Sequence, residues 1–296
     1  MRIVSLVPNA TEILFALGAG DLVVGVSHEC DHPPAARRLP QLTGSALPPE
    51  LPPAAVDQAV TAQLESGASL YTLDEERLAA LAPDLLFTQS LCPVCAVSGA
   101  QVGDAIAGFT ACPRIVSLDP RRLADVLADV SRVARAIGRE AEGDRLLAAL
   151  ERRLEATRRS VAGRPRPRVA ALEWLDPPFV AGHWVPEMIG TAGGLDALAR
   201  AGEPSRRTRW EEVAAADPDV VVAMPCGFDA EGSRAQVASL AGLPEWETLR
   251  AVRDAAVVAV DANGCFSRPG PRLVDGIEAL AAAFAAVYWR PSQARI

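Results

Sequence analysis

The stretch Arg139–Ala162, REAEGDRLLAALERRLEATRRSVA, decides how the chain is divided. Its apolar residues Ala141, Leu146, Leu147, Leu150, Leu154 and Val161 recur mostly at intervals of three, four or seven. That spacing puts one apolar stripe on a helix whose other faces carry arginine and glutamate. At 1.5 Å per residue such a helix runs roughly 35 Å, enough to carry the chain from one domain to another. It either braces two lobes, with a cleft between them as the place to look for a ligand, or lies on the surface of one larger domain. The pattern on both sides of it favours two lobes: residues 1–119, a helical linker over 120–163, and residues 164–296.

On its amino side, Ile3–Val7 and Leu22–Val26 read as strands. Between them Asn9 with Glu12 forms a capping-box pattern for a helix closed by Gly18. A proline-rich elaboration over 39–69 contains the amphipathic AAVDQAVTAQLESG. Thr72 with Glu75 then looks like the cap of a short helix, and Pro83-Asp84 introduces the strand LLFTQ. On the carboxyl side the same grammar returns: strand RVAALEW, helix from Val185 to Gly193, then TRWEEVAAADPDVVVAMP, which repeats short helix, Pro-Asp and buried strand. A strand AAVVAVDA and a long apolar helix close the chain. Strand and helix in alternation imply α/β lobes with mostly parallel sheets.

The 37 acidic residues outnumber 29 basic ones, all arginine, for a formal charge of -8, which disfavours nucleic acid or an anionic membrane as partner. Met1 and Arg2 run straight into a core strand and not into a leader, so the expected location is cytoplasmic, or periplasmic if a leader has been removed. No nucleophile stands beside a base and no phosphate loop is present, so the chain reads as a binding protein and not an enzyme.

Ligands of open α/β sheets sit beyond the carboxyl ends of the strands. In the first lobe those ends deliver Pro8 and Asn9, then His28 and Cys30, then Cys92 and Cys95. His28, Cys30, Cys92 and Cys95 have the donor types of a zinc site if their strands are neighbours. The CPVC run also suits a thiol oxidoreductase, and four small buried thiols or imidazoles remain the bland reading. In the second lobe Trp174, Phe179, Trp184, Phe228 and Phe266 concentrate the few aromatics near strand ends, as a flat apolar ligand would require, although core packing accounts for any one of them. His183 offers an imidazole to a metal centre within the ligand, or is simply hydrogen-bonded. Arg206, Arg207 and Arg209 either hold an anionic group or balance nearby acids.

Taken in order, SLVPNATEILFALG, VVGVSHECDHPP, LAPDLLFTQ, LEWLDPPFVAGHW, ADPDVVVAMP and CFSRPGPRLVDGIEAL resemble the vitamin B12 and iron-siderophore substrate-binding proteins of ABC importers, most closely the cobalamin-binding branch. The resemblance covers nearly the whole chain. It implies a class III periplasmic-binding-protein-like fold, two Rossmann-like lobes joined by a single long backbone helix, with cobalamin or an iron chelate held between them and no catalytic residues. It further implies that Pro8, Asn9, Ala10, Trp174, Phe179, Phe266, Ser267 and Arg268 line the ligand site, to which the reading of the aromatics adds Trp184. Glu231 matches an acid that docks on arginines of the transporter's membrane subunits, whereas SLCPVCAVSGAQ, in the corresponding place of the first lobe, has none. The alternatives are a cytosolic His/Cys metal-binding protein and the thiol enzyme.

Overall fold

Strand and helix alternate along both halves of the chain, and each half builds its own sheet. A computed structural model describes residues 1–48, 51–90, 99–109 and 112–289. Residues 1–120 with 125–147 form one unit, and residues 121–124 with those from 148 onward form the other. Among the described residues no helix is long and apolar enough to cross a membrane.

The first unit runs β1 (Ile3–Ser5), α1 (Pro8–Ala16), β2 (Val23–Val26), β3 (Thr43–Ser45), α2 (Pro53–Glu65), β4 (Tyr71–Leu73), α3 (Glu75–Leu81), β5 (Leu85–Thr88), α4 (Gly99–Ile106) and β6 (Arg114–Ser117), followed by α5 (Leu123–Ile137) and α6 (Glu140–Val161). Its sheet has the order β2-β1-β5-β6, every pair parallel, with β3 and β4 forming a separate antiparallel ribbon. Successive strand residues face opposite ways. Ile3, Leu85 and Phe87 pack with Ile13, Leu14, Val130 and Val133, whereas Val4 and Leu86 join Leu78, Val102 and Ile106. Both faces are therefore covered, which is why these strands read as continuous apolar runs.

Two helix starts differ from the sequence reading. Helix α1 begins two residues early, with Val7 and not Asn9 as N-cap, Pro8 in the first turn and no side-chain cap bond. Proline has no N–H to satisfy and its φ is already helical, so the Asn9–Glu12 box is not needed, and Glu12 is buried along the helix instead. In α3 the cap is Asp74, whose carboxylate accepts the Arg77 N–H at 2.9 Å. Thr72 belongs to β4, where its hydroxyl donates to the Gly44 carbonyl across the ribbon.

Helix α6 lies where its apolar stripe places it. Gly143 approaches α5 so closely that a Cβ there would sit 2.6 Å from the Ala134 methyl. Arg139, just before the helix, donates to the Leu17 and Gly18 carbonyls at the end of α1. Leu146 and Leu147 pack on the first unit's core, and the division between units falls after Leu147. Farther along, Arg153 bonds Asp275 and Glu278 of the closing helix of the second unit.

That second unit contains β7 (Arg168–Leu175), β8 (Pro178–Val180), α7 (Val185–Thr191), β9 (Leu195–Asp196), β10 (Arg206–Arg207), α8 (Trp210–Ala215), β11 (Val220–Ala223), α9 (Ala230–Ala238), α10 (Pro244–Glu247), α11 (Arg250–Arg253), β12 (Val257–Ala259), α12 (Ala262–Cys265) and α13 (Leu273–Val287). Strands β7, β11 and β12 are parallel, β9 adds to the start of β7, and β8 and β10 extend the sheet antiparallel. The fold is thus a two-lobed α/β architecture with mostly parallel sheets.

The repeated Pro-Asp of the sequence corresponds to a repeated bond. Asp84 accepts the Arg2 N–H and Asp219 the Arg168 N–H, each at 2.7 Å, so the same carboxylate fastens the start of the neighbouring strand in both units. The two arginine side chains also match, reaching the carbonyls of Leu81 and Ala216 after the preceding helices.

Candidate functional site

In the first unit, β1 ends in a bonded corner. The Thr11 hydroxyl reaches Ser5 Oγ at 2.8 Å and Cys30 Sγ at 3.1 Å, and Ser5 Oγ donates to the Val7 carbonyl. Cys30 is buried in this corner. Of the three expected ligand residues here, Ala10 is fully buried, Pro8 is partly exposed, and Asn9 is 1% exposed. Among the described residues neither the nitrogen nor the oxygen of the Asn9 amide has a hydrogen-bond partner. An unpaired buried amide is unusual enough to need a reason, and a site that must present polar groups is one such reason.

At the end of β2, Thr43 Oγ1 lies 2.7 Å from His28 Nδ1, 2.9 Å from Ser27 Oγ and 3.1 Å from the His28 N–H. Ser27 Oγ also accepts the Glu29 N–H, Thr43 Oγ1 accepts the His28 N–H, and His28 Nε2 faces Glu29 Oε1 at 3.4 Å. His28 and Cys30 are thus each committed to protein partners. Cys92 and Cys95 lie outside the described residues. Among the described residues no group of three or more His, Cys, Asp or Glu side chains suits a metal ion.

A surface hollow of about 600 Å³ in this unit is lined by Arg38, Leu39, Pro40, Gln41, Arg77, Ala80 and Leu81. The Leu81 carbonyl takes the Arg2 side chain, and Gln41 pairs with Val26 of β2, so the hollow runs along the β2 edge of the sheet.

In the second unit the carboxyl ends of β7, β11 and β12 converge. The Cys226 N–H bonds the Glu173 carbonyl, the Asn263 N–H bonds the Phe228 carbonyl, and Ser267 Oγ lies 3.6 Å from Cys226 Sγ. The Trp174 and Phe228 rings are tilted at 51° to each other with centroids 6.2 Å apart, and the Trp174 indole donates to the Asp176 carbonyl. The Phe179 ring carries the Arg207 guanidinium 5.4 Å from its centroid. Trp184, 7% exposed, donates its indole N–H to the carbonyl of buried Phe266 at 2.9 Å. Arg268 is 7% exposed in the turn that leads into α13. These contacts tie Trp174, Phe179, Trp184, Phe266 and Ser267 into one set of strand-end loops.

Of the three arginines before α8, Arg206 pairs with Glu212, and this bond, helped by the Thr208 hydroxyl, pulls the Glu212 carboxyl down to about 2. Only Arg207 stacks on an aromatic of the loops. Glu231 lies exposed in the first turn of α9, two residues past the Asp229 cap. His183 was readable as a residue type but not as a geometry: it has φ +53° on the loop before α7. Burial first, and then the charge of Arg121, hold its imidazole below the ordinary value near 6.5.

A family model described as "Periplasmic binding protein" matches residues 3–263. A curated vitamin B12-binding protein of Vibrio cholerae is 25% identical over 281 residues, covering 94% of this chain and 86% of its own length. The apo periplasmic heme-binding protein of Roseiflexus sp. RS-1 is 27% identical, with a TM-score of 0.73 over 97% of this chain and 98% of that one. The ABC-type Fe3+-hydroxamate transport protein of Saccharomonospora viridis shares the fold at a TM-score of 0.68 and 21% identity, covering 96% and 92%. Zinc is the named ligand of none of these three.

Proposed function

Because the chain belongs to the periplasmic binding protein family, a family that binds its substrates and does not transform them, we propose that it carries a metal tetrapyrrole, cobalamin first among them, to the membrane subunits of an ABC importer. The contacts on the second unit are Trp174, Phe179, Trp184, Phe266, Ser267 and Arg268. The single observation that carries this reading is the aromatic set at the strand ends of the second unit, Trp174 against Phe228 with Phe179 beside them. Flat apolar surface of that kind suits a macrocycle. The V. cholerae relative supports cobalamin as its occupant.

Heme is the second reading, favoured by the likeness to the Roseiflexus protein. Exposed Glu231 is the transporter-docking acid in either case, and the carrier works on the outer side of the membrane.

Titration of the purified chain with cyanocobalamin, aquocobalamin and hemin, followed by tryptophan fluorescence and difference spectra, tests the proposal. Saturable binding of one equivalent of cobalamin is expected. Saturation by hemin alone selects the second reading, and failure of every tetrapyrrole to bind removes both.

A further inference from the structure

Positive charge is concentrated at the end of α6 and in the loop that follows it. Residues 152–168, RRLEATRRSVAGRPRPR, contain seven arginines and one acid, so this stretch carries a formal +6 and the rest of the chain -14. Arg153 is taken by Asp275 and Glu278, whereas Arg152, Arg158, Arg159, Arg164, Arg166 and Arg168 are exposed. Arginine in a last turn complements the helix dipole, which accounts for Arg158 and Arg159. It does not account for Arg164 and Arg166, which lie beyond the helix. The one acid, Glu155, is shared by Arg158 and Arg159 at 3.8 and 3.7 Å, an exposed pairing that offsets little of the charge. Arg166 bonds the Gly194 carbonyl, which satisfies its N–H groups and leaves its charge in place.

Aromatic and apolar side chains stand against this charge. The Trp289 indole donates to the Pro165 carbonyl at 2.7 Å, and its ring carries the Arg164 guanidinium 4.9 Å from its centroid. The same ring meets the buried Phe284 ring at 84°. Gly193, at φ +91°, allows the close approach: a Cβ there would lie 2.9 Å from the Val161 Cβ and 3.0 Å from Trp289 Cη2. The Leu195 N–H donates to the Pro167 carbonyl, which sets the turn at 193–195 beside the arginine loop. Leu195 is 47% exposed and Tyr288, at the end of α13, 36% exposed, two of the few large apolar side chains that the described residues leave in solvent. A hollow of about 440 Å³ is lined by Arg164, Pro165, Tyr288 and Trp289. All of these groups lie at the amino end of β7.

We propose that this face of the second unit docks on an anionic lipid bilayer. The arginines take headgroup phosphates, Tyr288 and Trp289 sit at headgroup level, and Leu195 enters the acyl boundary. Each part has the matching chemistry. Guanidinium groups bond phosphate in pairs, Trp and Tyr favour the membrane–water interface, and a basic segment gains attraction to anionic lipid with every arginine. Nucleic acid would use the arginines but not an exposed leucine. The overall charge of -8 does not oppose docking at contact, because the Debye length is about 8 Å at physiological ionic strength and the bilayer responds to the patch it touches. The aromatic loops lie at the other ends of the strands, so the docked unit keeps them toward solvent, where cargo arrives. The docking surface holds whichever ligand the carrier takes.

The test is cosedimentation of the full chain, without tetrapyrrole, with vesicles of phosphatidylglycerol and phosphatidylcholine in equal parts and with vesicles of phosphatidylcholine alone. The wild type is expected to bind the first and not the second, at about 0.15 M salt. The double variant Arg158→Gln, Arg164→Gln should bind about tenfold more weakly or worse, and Leu195→Ser about threefold more weakly. Arg37→Gln with Arg38→Gln removes the same charge from an exposed site of the first unit and should stay within about twofold of the wild type. Urea midpoints verify that each variant is folded. Failure of the wild type to bind the anionic vesicles, equal binding to both vesicle types, or an equal loss in the Arg37 and Arg38 variant overturns the proposal. A duplex oligonucleotide bound as tightly as the anionic vesicles makes the patch a general polyanion site and overturns the lipid assignment. Cobalamin and hemin titrations of the patch variants should match the wild type, so the docking surface and the cargo reading fail separately.

Discussion

The indole N–H of Trp184 donates to the Phe266 carbonyl at 2.9 Å, joining two loops 82 residues apart in the chain, and both residues are buried. Removing the donor while keeping an aromatic ring leaves a buried carbonyl without its partner, a loss of about 1–2 kcal/mol. Trp184→Phe should lower the unfolding free energy by that amount, seen as a lower urea midpoint with no change in m value, and tetrapyrrole affinity should fall with it. An unchanged midpoint would mean that water replaces the indole at no cost.

Asp84 and Asp219 make the same bond in different surroundings. Asp219 is only 13% exposed at its side chain and also meets Arg250 at 2.8 Å, whereas Asp84 is 62% exposed beside the chain's amino end. Asp219→Ala should therefore destabilise by about 2 kcal/mol, a buried-network loss, and Asp84→Ala by under about 1 kcal/mol. Equal effects in thermal unfolding would show that the two strand starts are not held by these carboxylates to different degrees.

That repeat was legible in the sequence because its parts are local. Proline and aspartate stand next to the strand they introduce, and Val220–Ala223 is apolar throughout because both faces of the strand are covered. The strand-end aromatics Trp174 and Phe266 could likewise be found from position alone. The cap of α1 could not, because Pro8 and Asn9 are both good early helix residues and the choice between them depends on how β1 turns. The stacking of Arg207 on Phe179 follows from the antiparallel pairing of β8 with β10, and the left-handed His183 from a loop some twenty residues farther on. Neither leaves a local sequence mark. His28 looked like a ligand by residue type, yet Thr43, which lies on a ribbon partner and not on a neighbouring parallel strand, takes one of its nitrogens.

Asp129, on α5, is buried, and its Oδ2 has no hydrogen-bond partner among the described residues. Burial raises its carboxyl to about 6, against the opposing charge of Arg132 at 3.2 Å and with help from Asp119 and Asp125. The unfolded chain titrates near 3.9. Because the folded value is the higher one, the folded state binds more protons between the two. The contribution to stability is complete below about pH 4 and is lost as pH rises through about 6. Asp129→Asn should thus match the wild type near pH 4 and exceed it by on the order of 1–3 kcal/mol near pH 7.5. Asp196, also raised to about 6 by burial, keeps a slope of the same sign in the variant. Urea midpoints across this range decide the matter, and a wild type more stable at high pH than the variant would reverse the sign.

Trp174 separates ligand contact from core packing. It is partly exposed, its indole is bonded only to the Asp176 carbonyl two residues on, and its ring faces Phe228. Truncation to alanine removes less from the unliganded fold than the loss of a fully buried indole would, because Trp174 is only partly buried. It does remove a flat surface that a macrocycle would cover on binding. Trp174→Ala should therefore weaken cobalamin or hemin binding by about tenfold, equivalent to about 1.4 kcal/mol, with a smaller loss in unfolding free energy. Trp174→Phe keeps the flat face and should stay within about threefold of the wild type. Calorimetric titration of the three proteins beside their urea midpoints distinguishes the two roles. A stability loss larger than the affinity loss would make Trp174 a packing residue and leave Phe179 and Phe228 to provide the apolar contact.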